Sequence, residues 1–177
     1  MKLVTKYILR TGIKYGITGS IILVIFYSSL IYFDENVLAP GLVLLIGLLV
    51  VILIFASLYE YNQVDAIPRF WKNMSVGMLN FIVISIVYVI TMTMILHYVQ
   101  PEVFEEYIRN RLTMMEQNKK GYIDTFGEER FKEIYRDVKN TSRTDLVFDG
   151  PIKVSLLGLF STIFISLIYL FIKKRNN

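Results

Sequence analysis

Four stretches of the chain run for about twenty residues with hardly a charge, and this limits the fold more than any other feature. A helix crossing a bilayer needs about 20 mostly apolar residues, because each adds ~1.5 Å towards a hydrocarbon core ~30 Å thick. The stretches are residues 15–33 (YGITGSIILVIFYSSLIYF), 37–59, 72–97 and 151–172. In lipid, backbone polar groups must be satisfied within helices or closed barrels. The expected fold is therefore all-α, an integral membrane four-helix bundle in a single membrane domain of residues 1–177. Composition agrees: 54% of the residues are hydrophobic and the mean hydropathy is +0.50, above that of ordinary soluble domains.

The first stretch follows basic residues, as the core of a signal peptide does. Its core is too long for that, no small-x-small cleavage pattern follows, and Asp34-Glu35-Asn36 leads directly into the second stretch. It is expected to be retained as a helix.

Lysine and arginine placement sets the orientation. Lys2, Lys6, Arg10 and Lys14 precede span one, Arg69 and Lys72 lie between spans two and three, and Lys173, Lys174 and Arg175 follow span four. The short loop between spans one and two holds only acids, Asp34 and Glu35. The basic flanks therefore fall on one side, giving an N-in/C-in protein of the bacterial inner (cytoplasmic) membrane. The segment of residues 101–149 is then extracytoplasmic, and between Glu102 and Asp149 it carries eleven acids and nine bases. The net charge of +4 is explained by topology and anionic lipid, not by a nucleic-acid partner.

Membrane helices associate by close packing at small residues. Gly12, Gly16 and Ser20 form one stripe at four-residue spacing, and Gly158, Thr162 and Ser166 form another. Two uses are open to them: packing within the bundle, or an interface with a second copy or a membrane-protein partner. No Asp, Glu, Lys or Arg lies in the middle of a span, so the mark of proton relays and ion pathways is missing. Span three offers Asn80 as its strongly polar group, expected to hydrogen-bond between helices, with the hydroxyls of Thr91 and Thr93. No matching Gly or Pro interruptions suggest an inverted-repeat transporter.

The N-terminal residues MKLVTKYILRTGIKYG have a basic face and an apolar face. They suit an interfacial helix or an extension of span one. In the short loop before span three, Tyr59, Tyr61, Phe70 and Trp71 suit the membrane interface, and Pro68 suits the first turn of the third helix. Beyond span three the chain changes character at Gln100-Pro101. A residue before proline avoids the helical region, so a hinge is expected there. Phe104, Ile108, Leu112 and Met115 then recur on one helical face. The segment NKKGYIDTFG is expected to break that helix. A second helix over residues 128–140 presents Phe131, Ile134, Tyr135 and Val138. Together they predict a helical hairpin capping the bundle. Asp149 or Gly150 is expected to cap span four, with Pro151 in its first turn.

Chemistry finds little to use. The chain has no cysteine and one histidine, so thiolate chemistry is excluded and a zinc site would need His97 with Glu102 or Glu105 alone. His97 is better explained as an interfacial residue at a helix end. Eleven acids between Glu102 and Asp149 supply candidates for a carboxylate pair, but nothing selects two of them. No phosphate-binding loop, catalytic triad or nucleic-acid motif is present. No catalytic, metal or cofactor residue is expected, and no cofactor.

Four passages carry a resemblance: the basic start followed by YGITGSIILVI, then FWKNMSVGMLNFIVISIVYVI, YVQPEVFEEYIRNRLTMMEQ and GPIKVSLLGLFSTIFISLIYLFIKKR. With four spans and one long loop before the last, the chain resembles the Bacteroidota inner-membrane family called domain of unknown function 4199. The third passage is the most specific: an aromatic helix end, a proline, then an acid-aromatic helix. The loop YEYNQVDAIPRF departs from the family's basic or glycine-rich pattern. The resemblance implies topology and localisation and assigns no site residue.

The expected function is a non-enzymatic inner-membrane subunit. It would bind membrane lipids and a membrane-protein partner or a second copy, through its outer hairpin or its small-residue faces. Two alternatives stand beside it. One is an oligomeric lipid- or small-solute-handling protein using Asn80 and the hydroxyls of spans three and four. The other is an outer-face carboxylate enzyme using Glu102, Glu105 or Glu106.

Overall fold

A computed structural model describes residues 2–39, 41–64 and 69–175, with side chains for residues 6–39, 41–64 and 69–172. The expectation for Pro68 lies outside these residues. The described chain is all helix: α1 (Lys2–Tyr32), α2 (Leu42–Val64), α3 (Phe70–Met94), α4 (Glu102–Gln117), α5 (Lys119–Phe126), α6 (Glu128–Asn140) and α7 (Arg143–Arg175). Four helices are long and apolar enough to cross a membrane, α1, α2, α3 with its extension to Val99, and α7. The chain is a multi-pass membrane protein by that measure. It divides into two compact units, residues 1–91 with 150–177, and residues 92–149.

In the first unit α3 is the helix on which the others close. Gly12 and Gly16 of α1 abut Leu79 and Val83 of α3, and the contacts climb both helices together, so α1 and α3 run parallel. Gly158 meets Phe81 while Thr162 meets Gly77, so α7 runs antiparallel to α3. Gly47 of α2 meets Leu157, and Phe55 stacks near Tyr169 at 6.4 Å, so α2 and α7 run the same way. Side chains facing away from these contacts are apolar and exposed, as at Ile25, Leu44, Phe160 and Phe171. That pattern suits lipid as the surrounding solvent.

Of the two readings of the basic N-terminal stretch, the structure takes the extension of span one: α1 is continuous from Lys2. One helix start differs from expectation. Helix α7 begins eight residues before Pro151, which lies inside it. A capping box sets that start: the Ser142 N–H donates to Asp145 Oδ2 at 2.7 Å, and the Asp145 N–H donates to Ser142 Oγ at 3.2 Å. Asp149 and Gly150 therefore cap nothing. Proline withdraws one N–H from the ladder, and Gly150 beside it lets Tyr88 approach the helix backbone.

In the second unit the chain leaves α3 through a π-helical turn, Ile95–Val99, closed by the Gln100 N–H on the Ile95 carbonyl at 2.9 Å. Gln100 then departs from helical geometry (φ −139°, ψ 67°) and Pro101 restarts the chain as the N-cap of α4. Pro101 has no N–H to offer, which is why the regular ladder stops here. The expected two-helix hairpin is a three-helix arrangement. Gly121 lies within α5, and the turn is made by Gly127 at φ 83°, a conformation that favours glycine. Met115, Phe131 and Val138 form a small core, with Leu112, Ile134, Tyr135, Tyr122 and Ile123 packed on it. Phe104 is buried elsewhere in the unit, with the Arg143 guanidinium 5.4 Å from its ring centre, and Ile108 is half-buried.

Candidate functional site

The small-residue stripes are occupied by the chain itself. A methyl group on Gly12 would lie 2.7 Å from Leu79 Cβ, and one on Gly16 would lie 2.7 Å from Val83 Cβ. Ser20 is buried and bonds the Gly16 carbonyl at 2.8 Å. On α7, Gly158 sits against the Phe81 ring and Thr162 fills the space above Gly77. Thr162 and Ser166 have no exposed surface. Both stripes therefore meet α3, from two sides.

Between α2, α3 and α7 lies a polar seam. Asn80 is fully buried, and its Nδ2 donates to Ser57 Oγ at 3.4 Å, joining α3 to α2. Asn73, two turns earlier on α3, is also fully buried, and neither its Nδ2 nor its Oδ1 has a partner. The same holds for Asn80 Oδ1 and Ser166 Oγ. A buried polar group without a partner costs about 1–3 kcal/mol on protein mutational scales, and more where lipid surrounds the helices. Sequence reasoning singled out Asn80 and missed Asn73. The signal was available: Asn73, Gly77 and Asn80 stand at i, i+4 and i+7, one face of a helix.

The second unit carries an open groove of about 680 Å³ along α6 and the junction of α4 with α5. Its floor is aromatic, Phe131 and Tyr135. Its rim holds Lys119, Lys132, Arg136 and Lys139 against one acid, Glu116. That acid is already engaged: Tyr135 donates its hydroxyl to Glu116 Oε1 at 2.8 Å. This hydrogen bond, with some burial, pushes the phenol above its ordinary pKa. Lys132 pairs with Glu128 at 2.7 Å, which holds the Glu128 carboxyl below the usual range. Lys119 lies 5.9 Å from the Phe131 ring centre. The groove thus presents net positive charge over an apolar base. The apolar periodicity of α4 and α6 predicted the floor. The rim was invisible because its cations read as ordinary helix-face charge.

Around His97 nothing assembles. Its Nδ1 lies 3.1 Å from the Thr93 carbonyl and its ring faces Tyr98. Glu105 instead approaches Arg143, which also reaches the Pro101 carbonyl, each at 3.5 Å. Glu102 and Glu106 are exposed on α4. Among the described residues, no three His, Cys, Asp or Glu side chains group as metal ligands.

The family model for DUF4199, a protein of unknown function, matches residues 10–172. The chain belongs to the DUF4199 family. The match takes in spans two to four, all but the first four residues of span one, and the whole second unit of this DUF4199 protein. No curated protein matches it, and no solved structure does.

Proposed function

We propose that this DUF4199 protein is a non-enzymatic accessory subunit of the bacterial inner membrane, with both termini cytoplasmic and residues 101–149 outside. Its second unit binds an acidic segment of a membrane-protein partner. One observation carries this reading: the groove on α6 sets Lys119, Lys132, Arg136 and Lys139 around Phe131 and Tyr135. Aromatic and arginine side chains supply most binding energy at protein interfaces, and a positive rim selects acidic partners. The placement of lysines and arginines at the short flanks supports the orientation. The small-residue faces are the weaker candidate for the interface, because α3 already covers them.

The test uses the full chain in lipid nanodiscs and a fluorescent glutamate-rich amphipathic peptide. Binding should weaken as salt rises and vanish in the triple variant Lys119→Glu, Arg136→Glu, Lys139→Glu. Equal binding by the variant removes the groove from the reading. An alkaline phosphatase domain inserted after Gly127 should be active; an inactive fusion reverses the topology.

A further inference from the structure

The charges of α6 sort by side. Glu129, Glu133 and Asp137 recur every four residues and make an exposed acidic ridge. Lys132, Arg136 and Lys139 make an exposed basic flank, roughly a quarter-turn away, along the groove. The helix satisfies only part of this charge itself: Lys132 pairs with Glu128, and Glu133 with Arg130. Among the described residues, Glu129, Asp137, Arg136 and Lys139 enter no ion pair. Unmatched acids and unmatched bases therefore stand on adjoining flanks of one helix, in equal number.

Such a surface is complementary to itself. Resting on the reading of the groove as a seat for an acidic segment, we propose that the partner is a second copy of this chain, with its α6 lying parallel to this one. A twofold axis along two parallel helices sets the basic flank of each against the acidic ridge of the other. At ~1.5 Å of rise per residue, Glu133 of the second copy falls at a level between Lys132 and Arg136. Asp137 of the second copy falls between Arg136 and Lys139, and its Glu129 lies within one turn of Lys132. The symmetry makes every contact twice. An antiparallel twofold pair would set base against base, so the charges fix the direction as well as the partner. Copies in one membrane share an orientation, as a parallel pair requires. Exposed ion pairs are individually weak, so the contact loosens as salt rises.

The chain has no cysteine, so an introduced one reports alone. Asn140 is exposed and lies between the two flanks, where a parallel pair brings its two copies within disulfide reach. Arg130 lies beyond the acidic ridge, out of that reach. Oxidised as the full chain in lipid vesicles, Asn140→Cys should shift from 20.6 kDa to twice that mass, and Arg130→Cys should not. No shift for Asn140→Cys, or an equal shift for both, overturns the proposal.

Charge exchange then tests the pairing. A ridge variant (Glu129→Lys, Glu133→Lys, Asp137→Lys) and a flank variant (Lys132→Glu, Arg136→Glu, Lys139→Glu) are each made with Asn140→Cys. Each alone should lose the disulfide dimer, and the two reconstituted together should form a mixed one. Folded variants that stay monomeric when mixed overturn the proposal; if either misfolds, the two single-cysteine chains decide alone. The ridge variant keeps the groove and should bind the glutamate-rich peptide. If it does so while Asn140→Cys stays at 20.6 kDa, the groove reading stands and the second copy is ruled out. If the folded ridge variant binds no peptide, the groove reading falls and this proposal with it.

Discussion

The Tyr88 hydroxyl stands 2.5 Å from where a methyl group on Gly150 would be. Glycine at this point of α7 is therefore a packing requirement. Gly150→Ala should lower stability by about 1–3 kcal/mol, the usual cost of overpacking. Tyr88→Phe in the same chain should recover only part of it, because ring atoms remain at 2.8 and 3.0 Å. Thermal unfolding in one detergent across the two variants measures both effects.

The two glycines of the α5 region should respond with opposite signs. Gly121 is helical with nothing within 4 Å of a built methyl group, so Gly121→Ala should stabilise by about 0.5–1 kcal/mol. Gly127 at φ 83° favours glycine, so Gly127→Ala should destabilise by about 1 kcal/mol or more. Hydrogen exchange of α5 and α6 reports each change locally.

The start of α7 depends on Ser142. Ser142→Ala removes the hydroxyl that accepts from the Asp145 N–H and should cost about 0.5–2 kcal/mol. Its signature is local: faster amide exchange at residues 143–146, with residues 155–165 unchanged. Uniform protection throughout would show that the cap does not hold the end.

Acid and alkali should act on different contacts of α6. Lys132, by hydrogen bond and then by charge, holds the Glu128 carboxyl below its ordinary value. Its contribution is therefore complete above the unfolded carboxylate pKa and fades as pH falls through the folded one. The Tyr135 phenol is raised, so its contribution is complete below the usual tyrosine range and fades as pH climbs through the higher folded value. Glu128→Gln should flatten only the acid limb of a stability profile, and Tyr135→Phe only the alkaline limb. Exchanged effects would contradict the assignments. Both contacts are solvent-exposed, so added salt should shrink the Glu128 effect.

The spans were readable because twenty uncharged apolar residues have few ways to exist except as membrane helices. Their ends were not. Pro151 is a sound start signal, but the Ser142–Asp145 box lies upstream and starts the helix eight residues earlier, leaving the proline inside it. Gly12, Gly16, Gly158 and Thr162 were legible as contact residues. That both stripes meet α3 was not, because spacing names a face and never its neighbour. The groove was half legible: Phe131 and Tyr135 follow from periodicity, whereas the rim needs α4, α5 and α6 brought together in space.

The convergence of both stripes on α3 has a consequence for how the protein is made. Chains emerge N-terminus first. Gly12 and Gly16 enter the bilayer long before Leu79 and Val83 exist to cover them. Until then the α1 face lies open to lipid and to any small-residue helix nearby, with α2 packed beside it. Ribosome pausing before residue 76, or truncation there, should leave a fragment that pairs with other chains, and synthesis of α3 should release it.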